Sequence, residues 1–174
     1  MINDNDIKIA NFSKDVSSDS AEQTVVAFKL QQESGNLEKA KMLGSFLSDD
    51  VINAFLKEDY TKQKLILIRF CITNAITVLL NEETLAHITI DEFDHSLSNF
   101  TNLKQNDDLS GEMYSIFLIA SSEKINVAEH IAKAYSQFSN SPNCKEQAIE
   151  VFNFCNILVK NRIEEINFVN VNLI

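Results

Sequence analysis

The most hydrophobic segment of the chain runs from Leu65 to Leu80, and its pattern is that of a buried helix. Buried strands usually have about 4–8 residues, which is shorter than this segment. The segment is also too short to cross a bilayer comfortably, and it carries a charge near its centre. Arg69, Thr73 and Thr77 recur every four residues and therefore share one narrow face. The pattern predicts a buried central helix from about Thr61 to Asn81, with one polar seam.

Apolar residues recur at helical spacing along most of the remaining chain, which predicts further helices on both sides of the central one. Gly35 is typical of a helix end, Ser48 of an N-cap, and Thr89 with Glu92 of a capping box. We expect the connection 82–88 to be helical only in part. These signals predict helices at about residues 19–34, 37–47, 49–58, 89–100, 110–120, 126–138 and 143–167.

Both ends of the chain are less regular. Residues 1–18 are polar with a short alternation before Phe12, which fits a short strand as well as a disordered terminus. Residues 169–174 alternate with period two. They either form a strand that pairs with residues 7–12, or they are an end that continues into something absent here. We therefore predict an extended or disordered segment 1–18, one helical domain 19–168 and a tail 169–174.

The composition decides the fold class. A chain of 174 residues forms one domain with a sizeable core, and it contains only three glycines and one proline. Sandwiches and barrels need many turn residues, so this scarcity favours long helices with short connections. We predict an all-α fold, a compact array of about seven helices in hairpins around the central helix, with at most a short two-stranded ribbon of the termini.

Net charge and cysteine content restrict the function. The formal net charge of −10 disfavours direct binding of nucleic acid and adhesion to an anionic membrane, and it fits a basic partner or simply an acidic surface. The three cysteines show no CxxC spacing, so we expect reduced thiols. The acidic start does not look like a signal peptide. We expect a cytoplasmic protein, or one in a host cell's cytosol if it is delivered there.

Arg69 is the residue of the polar seam on which a ligand-binding role depends. A buried guanidinium must be paired, since an unpaired buried charge is costly. Arg69 either pairs with an acid of the chain or reaches the surface, or it binds an anionic group of a ligand or peptide with Thr73 and Asn74 as neutral partners. We favour the acid, because long basic side chains are commonly used in this way.

Three residues offer the donor types of a metal site. His87, Asp91 and His95 are spaced four residues apart and suit a divalent metal if they share one helix. The capping box at Thr89 places His87 outside the helix, however, and no second cluster supplies further ligands. We therefore predict neither a metal nor a cofactor.

Amide side chains form a candidate binding face on the last predicted helix. Asn153, Asn156, Lys160 and Asn161 recur there at helical spacing. Amides can grip the backbone of an extended peptide because they offer both a donor and an acceptor. Asparagine is common throughout this chain, so composition alone also explains the face.

Two parts of the chain resemble known helical families. The residues from Gly35 to Ala40, and Ala134-Tyr135 with residues 146–152, resemble tetratricopeptide-type hairpins. Residues 21–100 resemble the helical regulatory segment of AraC-type bacterial regulators in the order of the Gly35 turn, Lys64-Leu65, Thr73-Asn74-Ala75-Ile76, Glu83-Thr84-Leu85-Ala86 and Asp91-Glu92-Phe93. The chain lacks a recognisable pair of helix-turn-helix units after this segment. The resemblance therefore implies a regulatory or dimerisation module, not a DNA-binding one.

These observations predict a non-enzymatic regulatory module that binds a protein or peptide, with a homodimer as an option. The alternative is a sensor of an anionic small molecule that uses Arg69. A metal-dependent helical-bundle enzyme is the least favoured of the three hypotheses. The reason is that the chain carries no catalytic motif of high specificity.

Overall fold

A computed structural model of the chain describes residues 24–57, 60–101, 108–123 and 125–171. All regular structure among these residues is helical, which confirms the predicted all-α fold. The predicted strand before Phe12 lies outside the described residues, and residues 169–171 form no strand. Contacts divide the chain into two units, a smaller one of Met1–Glu38 with Val169–Ile174 and a larger one of Lys39–Phe168.

Seven α-helices and one π-helical turn make up the regular structure of the described residues. Gly35 adopts φ +76 after the first helix, as the sequence predicts for a residue at a helix end. Helix α1 covers residues 24–33, and it is followed by α2 (Asn36–Val51), the π-helical turn Ile52–Leu56, α3 (Lys62–Leu79), α4 (Glu83–Thr101), α5 (Asp108–Ser121), α6 (Val127–Tyr135) and α7 (Cys144–Ile166).

Helix α3 is the central helix of the larger unit, as predicted. Thr61 caps it, because its hydroxyl oxygen accepts a hydrogen bond from the Lys64 amide at 3.2 Å. The helix packs against α4, α5 and α7, since apolar side chains cover most of its circumference. Its buried residues are Leu65, Ile66, Leu67, Ile68, Phe70, Cys71, Ile72, Ala75 and Ile76.

The predicted helix boundary at Ser48 was wrong. Helix α2 runs through Ser48 to Val51 and continues directly as the π-helical turn Ile52–Leu56. Ser48 is fully buried within the helix and caps nothing. A π-helical turn has an extra residue and so rotates the apolar stripe relative to the preceding helix. In the sequence, this rotation looks like the start of a new helix.

Helices α2 and α4 approach each other very closely at Gly44. A Cβ atom placed on Gly44 would lie 2.5 Å from the Thr89 carbonyl oxygen and 2.9 Å from the Phe93 amide nitrogen. Both of these are backbone atoms of α4. Glycine is therefore required here for close helix packing, not for an unusual backbone angle.

The predicted capping box at Thr89 was also wrong, because α4 begins at Glu83. The Glu82 carboxylate caps this helix by accepting hydrogen bonds from the amides of Leu85 at 2.8 Å and Thr84 at 3.3 Å. Glutamate is not among the usual N-cap residues, so the local sequence favoured Thr89. Thr89 is instead fully buried in the second turn of the helix.

Arg162 connects α7 to α2. Its Nε and Nη2 atoms donate to the Asp50 carboxylate at 2.7 and 2.8 Å, and Nη1 donates to Glu165 at 2.7 Å. The hydrogen bonds to Asp50 are the main reason that the pKa of Arg162 is raised. All three side chains are partly exposed, so water screens their charges. The group orients α7 against α2 more than it stabilises the fold.

Candidate functional site

The polar seam of α3 meets an acid of α4. Arg69 donates from Nε and Nη2 to the two carboxylate oxygens of Asp94, each at 2.5 Å. These hydrogen bonds are the main reason that the pKa of Arg69 is raised, and burial opposes them. The two side chains are only 22% and 13% exposed, so the bidentate pair is largely shielded from water. Arg69 thus makes the structural ion pair that the sequence favoured, and its use as an anion ligand stays a prediction.

Tyr114 of α5 lies over the Arg69 guanidinium. The Cζ atom of Arg69 is 5.4 Å from the centre of the Tyr114 ring, a cation–π distance. Burial raises the pKa of Tyr114 to about 12, and the Arg69 charge and the Thr73 hydroxyl oppose this effect. Thr73 Oγ1 is itself buried and makes no hydrogen bond of standard geometry within the described chain. Because its pKa is raised, the Tyr114 phenol stays protonated at neutral pH and is not a general base there.

The amides predicted to bind a peptide differ in how far they are exposed. Asn74 on α3 is half-buried, and Asn153 on α7 is exposed. The Asn156 side chain donates to the carbonyl oxygen of Phe152 in its own helix at 2.8 Å. Peptide binding by these amides stays a prediction, and Asn153 and Asn161 are the α7 amides that are exposed.

An amide that the sequence analysis did not single out does hold an extended backbone. Asn36 Nδ2 donates to the Val169 carbonyl oxygen at 2.8 Å, and Asn36 Oδ1 accepts from the Val169 amide at 2.9 Å. Nδ2 also donates to Gln31 Oε1 at 2.7 Å, and Asn36 is almost fully buried. This pairing of one amide with the donor and the acceptor of a backbone is the one expected of the α7 amides. Here the backbone that Asn36 binds belongs to the chain's own tail, within the smaller unit.

His87, Asp91 and His95 share one exposed face of α4, because this helix begins before His87. The two histidines are about 12 Å apart along the helix axis, which is too far for one ion. His87 faces Glu83 at 3.6 Å, and His95 faces Asn99 at 3.3 Å. Among the described residues, no group of three or more His, Cys, Asp or Glu side chains is placed to hold a metal.

All three cysteines are free, as the sequence predicts, and the structure places all three in buried positions. Burial is the main reason that the pKa of Cys71 is raised well above its ordinary value, and the neighbouring Cys155 thiol adds to it. A buried neutral thiol is a poor nucleophile. Cys71 is therefore a core residue of α3.

A pocket of about 440 Å³ lies where the π-helical turn meets α7. Phe55 of the turn and Phe154 of α7 form its walls, and their rings pack edge to face with centroids 5.0 Å apart. Phe154 nevertheless remains 41% exposed, while Val151 beside it is buried. Apolar surface that is left open within a polar rim is typical of interaction sites. π-Helical turns are also frequent at functional sites.

Three polar residues form the rim of this pocket, namely Lys64, Gln147 and Glu150. Lys64 Nζ lies 5.6 Å from the centre of the Phe55 ring, so its charge faces an aromatic surface. Glu150 is exposed and makes no ion pair with another described residue. The pocket therefore combines an apolar anchor point with charged groups of both signs.

The sequence does not reveal this pocket, for two different reasons. Phe55 lies in the predicted helix 49–58, where its spacing fits the apolar side of that helix. Phe154 lies off the apolar stripe of α7 that Phe152, Cys155 and Val159 mark, and this departure was the one available signal. A large aromatic residue on the polar side of an amphipathic helix is typical of an interaction surface. Its pairing with Phe55 depends on tertiary contacts.

Comparisons with protein-family models, with curated proteins and with solved structures found no match to this chain. The resemblances to AraC-type regulators and to tetratricopeptide-type hairpins therefore remain predictions. No helix among the described residues is long and apolar enough to cross a membrane.

Proposed function

We propose that this protein is a non-enzymatic interaction module that binds a protein or peptide through the pocket lined by Phe55 and Phe154. The observation that carries the proposal is the edge-to-face aromatic pair, which closes one side of a pocket and leaves Phe154 41% exposed. Aromatic residues in such positions supply much of the binding energy of protein interfaces. The regulatory role predicted from the sequence would act through this binding.

The chemistry of the lining favours binding over catalysis. The residues that line the pocket are Phe55, Lys64, Gln147, Glu150, Val151 and Phe154. None of them is a serine, threonine, cysteine or histidine, so the pocket offers no hydroxyl or thiol nucleophile, and Lys64 and Glu150 are its only ionisable lining residues. A volume of about 440 Å³ accommodates an apolar side chain of a partner together with a polar neighbour.

Selection from a phage-displayed library of random peptides, about 16 residues long, tests this proposal with the purified full chain. Synthetic copies of the enriched peptides are then titrated in fluorescence anisotropy against Phe154→Ala and Ile119→Ala. Ile119 on α5 is 71% exposed and lies outside the pocket. Ile119→Ala therefore also removes an exposed apolar side chain and serves as the matched control for Phe154→Ala. We expect Phe154→Ala to weaken binding by about tenfold or more, since a central anchor contributes more than about 1 kcal/mol.

The control variant should bind within about twofold of the unchanged protein. Circular dichroism of both variants checks that each remains helical. The proposal fails if no peptide is enriched, or if the enriched peptides bind Phe154→Ala as well as they bind the unchanged protein.

A further inference from the structure

The outward face of α7 continues from the pocket in both directions. Glu146, Glu150, Asn153, Phe154 and Ile157 recur at spacings of three and four residues and therefore lie on one side of the helix. All five are exposed, and Ile157 is exposed to 62%. Together they cover about 16 Å of the helix axis, or three turns. We call these five residues the α7 face.

The first part of the α7 face carries two negative charges, and Lys64 on the pocket rim is the one cation among the pocket's lining residues. Glu146 and Glu150 are one turn apart, and neither makes an ion pair with another described residue. Like charges at this spacing repel each other. Further along the helix, Glu165 is paired with Arg162. A cation near Glu146 and Glu150 would therefore be attracted by both, and the net charge of −10 would steer a cationic partner toward the protein.

The second part of the α7 face is apolar. Phe154 and Ile157 are three residues apart, and Phe55 extends the apolar surface beside Phe154. The backbone groups within α7 are used by the helix itself, so a partner cannot join this face by adding a strand. It must dock through side chains, and the one-turn spacing of the α7 face matches the spacing of residues i and i+4 on a second helix.

We infer that the partner is a cationic amphipathic helix that lies along the α7 face. One of its apolar side chains fills the pocket lined by Phe55 and Phe154. Lysine or arginine residues one and two turns away on the same side meet Glu150 and Glu146. This inference rests on the proposed function and names the chemistry of its partner.

The test uses the peptides that the library selection enriches and that depend on Phe154. We expect them to carry lysine or arginine four or seven residues from an apolar residue. We also expect Glu150→Gln and Glu146→Gln each to weaken their binding roughly two- to fivefold at low salt. Glu112→Gln on α5 makes the same change of net charge at another exposed position and should leave the affinity unchanged. Raising the salt to about 1 M should remove the difference between the variants.

The outcomes separate this inference from the proposed function. If the Phe154-dependent peptides are neutral or acidic, or if Glu150→Gln and Glu146→Gln bind them like Glu112→Gln, the cationic partner is excluded and the interaction module stands. If no Phe154-dependent peptide is found, both fail. All three glutamates are exposed, so none of these variants is expected to disturb the fold.

Discussion

Replacing Gly44 by alanine should destabilise the protein, although alanine is the better helix former. The added methyl carbon would lie 2.5 Å from the Thr89 carbonyl oxygen, 2.9 Å from Glu92 Cβ and 2.9 Å from the Phe93 amide nitrogen. Two of these neighbours are backbone atoms, which cannot rotate away as a flexible side chain can. Helices α2 and α4 must therefore move apart locally, and the buried residues around the contact lose packing.

The magnitude follows from two opposing effects. Overpacking of a well-packed core costs about 1–3 kcal/mol. Alanine in place of glycine returns roughly 0.5–1 kcal/mol through its higher helix propensity. We expect a net loss of about 1–2 kcal/mol in the free energy of unfolding, which is a fall of roughly 2–8 °C in Tm for a chain of this size.

Gly111→Ala is the matched control. Gly111 lies in α5, is exposed, and a Cβ atom there would meet nothing within 4 Å. This variant keeps the gain in helix propensity without the steric cost, so it should raise stability by roughly 0.5–1 kcal/mol. We thus expect the same Gly→Ala change to lower the free energy of unfolding at position 44 and to raise it at position 111.

Urea unfolding followed by circular dichroism at 222 nm measures both variants. The decisive quantity is the difference between their free energies of unfolding. If Gly44→Ala is as stable as the original protein, the close approach of α2 and α4 is not a constraint. If both variants lose stability alike, glycine is needed for some reason other than contact at Gly44.

Three further predictions concern charged and polar groups. Asp94→Asn and Arg69→Met should each lower the free energy of unfolding in urea by about 1–3 kcal/mol, because each leaves the other, largely buried side chain without its charged partner; no loss in either variant would contradict this. Stability should fall as the pH rises from about 10 toward 12, because the unfolded chain releases the phenolic proton at its ordinary pKa while folding raises the pKa of Tyr114 to about 12. Tyr114→Phe should remove that part of the fall, and an unchanged pH profile in this variant would refute the assignment. Glu82→Ala should lower the free energy of unfolding by about 0.5–2 kcal/mol, since it removes the cap of α4, and no change would show that the cap is dispensable.

The sequence by itself determined the fold class and the central helix. The apolar run between Leu65 and Leu80 is long, and most of the polar residues within it recur every four residues, as on one face of a helix. It is also preceded by an ordinary N-cap at Thr61. The last helix was predicted as 143–167 and is observed as Cys144–Ile166 for the same reason. Local patterns were sufficient there because burial on several sides and ordinary capping both favoured the same element.

Only the tertiary structure decided the remaining boundaries and the site. Ser48 and Thr89 have the chemistry of caps, but both are buried inside continuous helices, next to the contact that Gly44 makes possible. The partner of Arg69 was one of 25 acids until α4 placed Asp94 beside it. Phe154 departs from the apolar stripe of α7, but nothing in the sequence pairs it with Phe55, and their contact exists because a π-helical turn brings one ring against the other. Such pairings depend on which residues the packing of helices brings together, and no local pattern encodes them.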